Sequence, residues 1–199
     1  EPGIATFSLP SLELLSAPVP FGSASKQGCI AMSDLTHVRD RIFCSAHNAG
    51  ISVYELRSDP ASPRFLGHIS SDDPAQRPYS SPVPMPALHD PRHHWLYATM
   101  GRNSLTVFNV TTESPDTAVE LVTLRQLPVN FVFGVAVVAV ADQHYVYVSY
   151  SNSTGRLGSA EDSLADIGLL SFVASLSSTG VELQALASTV GLRNQPSGV

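Results

Sequence analysis

The chain has 199 residues, 43% hydrophobic and 14% charged, enough for one ordinary domain or two small ones around a sizeable core. The formal net charge is −6 and the 11 Lys and Arg residues are scattered, so no concentrated positive potential is offered to a nucleic acid or an anionic membrane. The longest apolar run, Phe131 to Ala141, has 11 residues, well short of the roughly 20 needed for a membrane-spanning helix.

From the N-terminus, the first predicted elements are two short strands, "GIATFSL" (3–9) and "LELLSA" (12–17), apolar at alternate positions as in a half-buried strand. A group of four follows: "GCIAMS" (28–33), "RIFCSAHN" (41–48), "GISVYEL" (50–56) and "RFLGHI" (64–69). A second group comprises "PVPMPAL" (82–88), "WLYATMGRN" (95–103), "SLTVFNV" (104–110) and "VELVTL" (119–124). The third comprises "FVFGVAVVAV" (131–140), "YVYVSYSN" (145–152), "GLLSFVA" (168–174) and "VELQAL" (181–186), and "QPSGV" (195–199) begins another. "GIATFSL" and the third strand of each group share Gly or Ser, then Ile or Leu, two variable residues, an aromatic, a variable residue and an apolar one. Their starts are spaced by 47, 54 and 64 residues. Connections such as "RSDPASP" and "SSTG" carry the Pro and Gly of turns. No segment holds a 3.6-residue apolar period over the length of a substantial helix.

The expected fold is therefore all-β. Four antiparallel strands every 40 to 60 residues, roughly, is the spacing of a β-propeller blade. The expectation is a half blade at 1–27, blades at 28–69, 82–124 and 131–187, and the start of another at 195–199, about 3.5 blades in one propeller segment. A β-sandwich is the alternative, since it too has short alternating strands; the phased cycle of four favours the propeller.

"RIFCSAHNAGISVYELRSDPASPRFLGHI" resembles the repeats of the LVIVD and YVTN/lactonase-like β-propeller superfamily, and "WLYATMGRNSLTVFNV" and "GLRNQPSGV" resemble its blade pieces. The Gly-His and Trp-Asp dipeptides of WD40 blades are missing, which puts the chain beside that family, as WD40-like. The resemblance implies a ring of about six to eight blades, roughly 300 to 400 residues. Half a ring leaves unpaired strand edges at both ends. The expectation is that the chain is a segment of a longer one, or that a second copy or another polypeptide completes the ring. The chain starts without Met and without a basic-then-apolar leader, so either a leader was removed or the sequence is a piece of something longer.

The same resemblance implies that the connections between strands 2 and 3 and between successive blades gather on one face, which binds ligands or partners. The candidate binding residues are then His47 and Asn48, Arg102 and Asn103, Tyr79 in "SSDDPAQRPYSSP" (70–82), Asn152 and Arg156 in the long insertion at 151–166, and Arg193. The preferred reading is a scaffold that binds a protein or peptide on this face. The alternative is a lactonase-like enzyme acting on a small molecule at the mouth of the central channel, although no catalytic residue of that family aligns here.

No GxSxG elbow, phosphate loop, dinucleotide fingerprint or HExxH occurs. The seven His residues lack ligand spacing, and His93 and His94, adjacent before Trp95, are expected to point to opposite faces. Asp72, Asp73, Glu161, Asp162 and Asp166 could supply hard oxygen ligands or acid–base pairs but read as solvated loop charges. No cofactor and no metal are expected. Cys29 and Cys44 fall opposite each other if their hairpin has its midpoint near Thr36 and His37. The preferred reading is two buried thiols in a reducing compartment, hence a cytoplasmic protein. Two glycosylation sequons, at Asn109 and Asn152, speak for a secreted or lumenal one.

Overall fold

A computed structural model describes residues 3–20, 31–33, 40–46, 50–56, 61–69, 78, 80–110, 118–151 and 167–192. Among these every regular element is a β-strand, so the chain is all-β. Among the described residues no helix is long and apolar enough to cross a membrane. A two-stranded pair, β1 (Gly3–Ile4) with β2 (Val19–Pro20), comes first. The first four-stranded sheet holds β3 (Ala31–Met32), β4 (Arg41–Ser45), β5 (Ile51–Glu55) and β6 (Arg64–Ile69). The middle sheet holds β7 (Val83–Pro86), β8 (His94–Met100), β9 (Ser104–Asn109) and β10 (Val119–Leu124). The third holds β11 (Phe131–Val140), β12 (Gln143–Ser151), β13 (Ile167–Ser177) and β14 (Gly180–Leu192). In each sheet the strands lie in chain order and each pairs antiparallel with its predecessor.

The period of two sorts the side chains of the middle sheet onto two covered faces. Trp95, Tyr97, Leu105 and Val107 pack with Val132, Val146, Val148 and Phe172 of the third sheet. Leu96, Ala98, Met100 and Phe108 pack with Phe43, Ile51 and Val53 of the first. The far side of the first sheet, with Ile42, Cys44, Tyr54 and Leu56, closes on Ile4 of β1. The sheets are thus stacked in sequence order, and the middle one is buried on both faces.

One sequence expectation fails at the N-terminus, that "GIATFSL" and "LELLSA" are the paired strands of the half blade at 1–27. "LELLSA" is not the partner strand of "GIATFSL"; β1 pairs instead with Val19–Pro20. The reason is local. Residues 8–13 turn back on themselves, with Ser8 N–H donating to Glu13 O at 2.9 Å and Leu12 N–H to Ser8 O at 3.0 Å, and Leu12 takes a left-handed φ of 58°. Pro10, without an N–H, sits at this turn. Only the bridge between Phe7 and Leu14 survives of the expected pairing.

The cysteines also depart from expectation. The register of β3 and β4 sets Met32, not Cys29, opposite Cys44. Cys44 is nevertheless disulfide-bonded and fully buried, which overturns the reading of two reduced thiols. The sequence has one other cysteine, Cys29, outside the described residues.

Candidate functional site at the loop end of the sheets

The turn between β8 and β9 is three residues, Gly101, Arg102 and Asn103, and Gly101 takes a φ of 64° that favours glycine. Its two outward carbonyls are used to hold the next crossing. Arg102 O accepts from Val132 N–H at 2.7 Å, and Asn103 O accepts from Leu127 N–H at 2.9 Å. Leu127 and Val129, buried in the core between the middle and third sheets, anchor the same crossing from below. Consequently the Arg102 side chain stands exposed on a backbone fixed at both carbonyls, beside a half-buried Asn103.

The preceding crossing is fixed at the same end by hydroxyls. Ser45 Oγ donates to Ser80 O, and the buried Ser80 and Thr99 hydroxyls share a hydrogen bond of 2.6 Å. Ser81 Oγ donates to Met32 O, and Pro78 bridges Met100. Hydrogen bonds among buried hydroxyls cost little desolvation when every partner is met, and they fix the chain's path between two sheets. In the third sheet, Ser151 pairs with Ile167, so residues 152–166 leave and re-enter at this end as well. Leu192 also pairs with Ile167, which brings the end of β14 there.

Of the residues expected on the binding face, Arg102 and Asn103 are placed together at this end. His47, Asn48, Tyr79, Asn152, Arg156 and Arg193 lie outside the described residues, as do Asp72, Asp73, Glu161, Asp162 and Asp166. Ala46 N–H donates to Gly50 O at 2.8 Å, closing the β4–β5 connection on either side of His47 and Asn48. Sequence reading missed Ser45, Ser80 and Thr99; the Ser pair between prolines in "PYSSP" marks a loop but not its partners.

The titratable groups that meet do so elsewhere. At the opposite end, in the β7–β8 turn, Asp90 takes the Arg92 guanidinium on both oxygens, at 3.0 and 2.7 Å, and His93 Nε2 lies 4.0 Å away. Arg92 holds the Asp90 carboxyl well below the ordinary carboxylate range, first through the side-chain hydrogen bond. Between the middle and third sheets, the buried Tyr97 hydroxyl and His144 Nδ1 share a hydrogen bond of 2.8 Å beside the Trp95 ring. Burial pushes the Tyr97 phenol up.

Ser52 Oγ and His68 Nδ1, across β5 and β6, are 3.0 Å apart, the spacing of a nucleophile and its base. Ser52 is fully buried, however, so its hydroxyl is closed to any substrate, and burial lowers the His68 imidazole. The pair is a packing contact. Among the described residues no group of three His, Cys, Asp or Glu is placed to hold a metal ion. His93 ends the β7–β8 turn and His94 opens β8. Compared with known proteins, the chain matches no family model, no curated protein and no solved structure.

Proposed function

We propose that the chain is a β-propeller segment, similar to the LVIVD and YVTN lactonase-like propellers, whose loop end binds a protein or peptide partner. The observation that carries the reading is the common anchoring of the β8–β9 turn and both inter-sheet crossings at one end of the stacked sheets. A binding surface gains affinity when its loops are ordered before the partner arrives, because less conformational entropy is lost on association. Rigid loops presenting Arg102 fit that requirement, and arginine is a frequent anchor residue at protein interfaces. The four-strand cycle, repeated three times with successive sheets in face-to-face contact, supports a propeller over a two-sheet sandwich. The Cys44 disulfide supports a secreted or lumenal location in place of the cytoplasmic one.

The test is panning of a peptide library displayed on phage against the immobilised protein. Enriched peptides should bind the wild type at about micromolar Kd and lose at least tenfold, about 1.4 kcal/mol, with Arg102→Glu. Arg92→Glu, at the opposite end, should leave binding unchanged. Peptides indifferent to Arg102→Glu would remove the loop end from consideration. Turnover of a lactone panel, abolished by His47→Ala, would replace the scaffold by the lactonase-like enzyme.

A further inference from the structure

The third sheet presents a second surface, unrelated to the loop end. A sheet with one face in water alternates apolar and polar residues, and a sheet covered on both faces reads as nearly continuous apolar strands. The middle sheet follows the second pattern in "HWLYATM" and "SLTVFN", and both its faces are covered. "FVFGVAVVAV" of β11 reads the same way. Its inward residues Val132, Val135 and Val137 belong to the core against the middle sheet. On the outer face, by the register, Val138 lies opposite Tyr145 and Ala136 opposite Tyr147. Val138 and Val140 are each 51% exposed, Phe133 is 41% exposed and Leu169 is 46% exposed. The only charge among the described residues of that face is Glu182, opposite Ser175.

The other end of the stack carries a matching apolar surface. In the turned segment after β1, Phe7 is 51%, Leu9 84%, Leu12 66% and Leu14 51% exposed, with Glu13 the one charge. Each surface amounts to on the order of 500 Å² of apolar area, the upper part of the range that a monomer usually leaves open. Two such contacts between two chains would bury roughly 2,000 Å² in total, the size of a stable interface.

We propose that the outer face of the third sheet docks on the 7–15 segment of a second copy of this chain, head to tail, with a two-fold axis making both contacts equivalent. The contact continues the face-to-face stacking that already joins the three sheets. It is independent of what the loop end binds. Each contact is heterologous, and two copies close into a pair, not an open filament, when the three-sheet stack curves as a propeller segment does; closure thus rests on the propeller reading above.

Light scattering on the full chain after gel filtration, at about 50 micromolar, should give twice the 21.2 kDa of one chain. Val138→Glu on the face and Leu9→Glu on the arm should each give monomers with an unchanged far-ultraviolet spectrum, since both positions are exposed. Mixing the two variants should restore dimer in part, because one of the two contacts is then intact. A monomeric wild type, dimers unaffected by either variant, a mixture that stays monomeric, or a mass that grows without limit would each overturn the proposal.

Discussion

Gly168, the second residue of β13, lies opposite Tyr150, and a Cβ added there would fall 2.7 Å from the Tyr150 Cζ and hydroxyl and 2.8 Å from Cε1. Ordinary carbon contacts lie at about 3.5 to 4 Å, so the ring would have to retreat by about 1 Å. Tyr150 is nearly buried among the side chains between the middle and third sheets, and such overpacking costs about 1 to 3 kcal/mol. Against this, replacing glycine by alanine in extended backbone gains about 0.5 to 1 kcal/mol. Gly168→Ala is expected to destabilise by up to about 2.5 kcal/mol. Tyr150→Ala alone should cost about 3 to 5 kcal/mol, as for other large aromatic truncations. In that background the clash is gone, so Gly168→Ala should become stabilising by about 0.5 to 1 kcal/mol. The measurement is urea unfolding of the four proteins, followed by fluorescence of Trp95, the single tryptophan, which is buried in the same core. A Gly168→Ala protein at least as stable as the wild type, or an equal effect in both backgrounds, would refute the reasoning.

Tyr97→Phe keeps the packing but leaves His144 Nδ1 without the Tyr97 hydroxyl in a buried interface; urea unfolding should show a loss of about 1 to 3 kcal/mol. Ala141 joins β11 to β12 with a left-handed φ of 52°, so Ala141→Gly should be neutral or stabilising by up to about 1 kcal/mol, and Ala141→Val clearly destabilising, by the same assay. Burial pushes the Tyr54 phenol up to about 12, with the nearby Ser52 side chain a smaller, lowering influence. Its neutral form is favoured in the fold, so the stability it contributes is present below the unfolded value of about 10 and is lost as pH rises toward 12. Stability measured against pH should therefore fall less steeply across that interval in Tyr54→Phe.

Most strands were legible because alternation and turn residues act within a few positions. "RFLGHI", "VELVTL" and "FVFGVAVVAV" become β6, β10 and β11 with the bounds read from the sequence. The shared glycine of the repeat was legible as a position but not as a cause. Gly50 is required by a φ of 81°, whereas Gly168 is required by the Tyr150 ring above it. At the candidate site, Arg102 and Asn103 could be named from their place in a turn, but what holds them is their own backbone carbonyls, which carry no residue-specific signal. Ser80, in the crossing, finds Ser45 of the first sheet and Thr99 of the middle one, and Tyr97 finds His144 across an interface; partners 19 to 47 positions away leave no local pattern. By itself the sequence determined an all-β chain and the place of most strands, because strand period and turn chemistry are local. Tertiary structure alone decided the N-terminal pairing, the bonded state of Cys44 and the anchoring of the loop end, because each depends on which distant surfaces meet when the sheets stack.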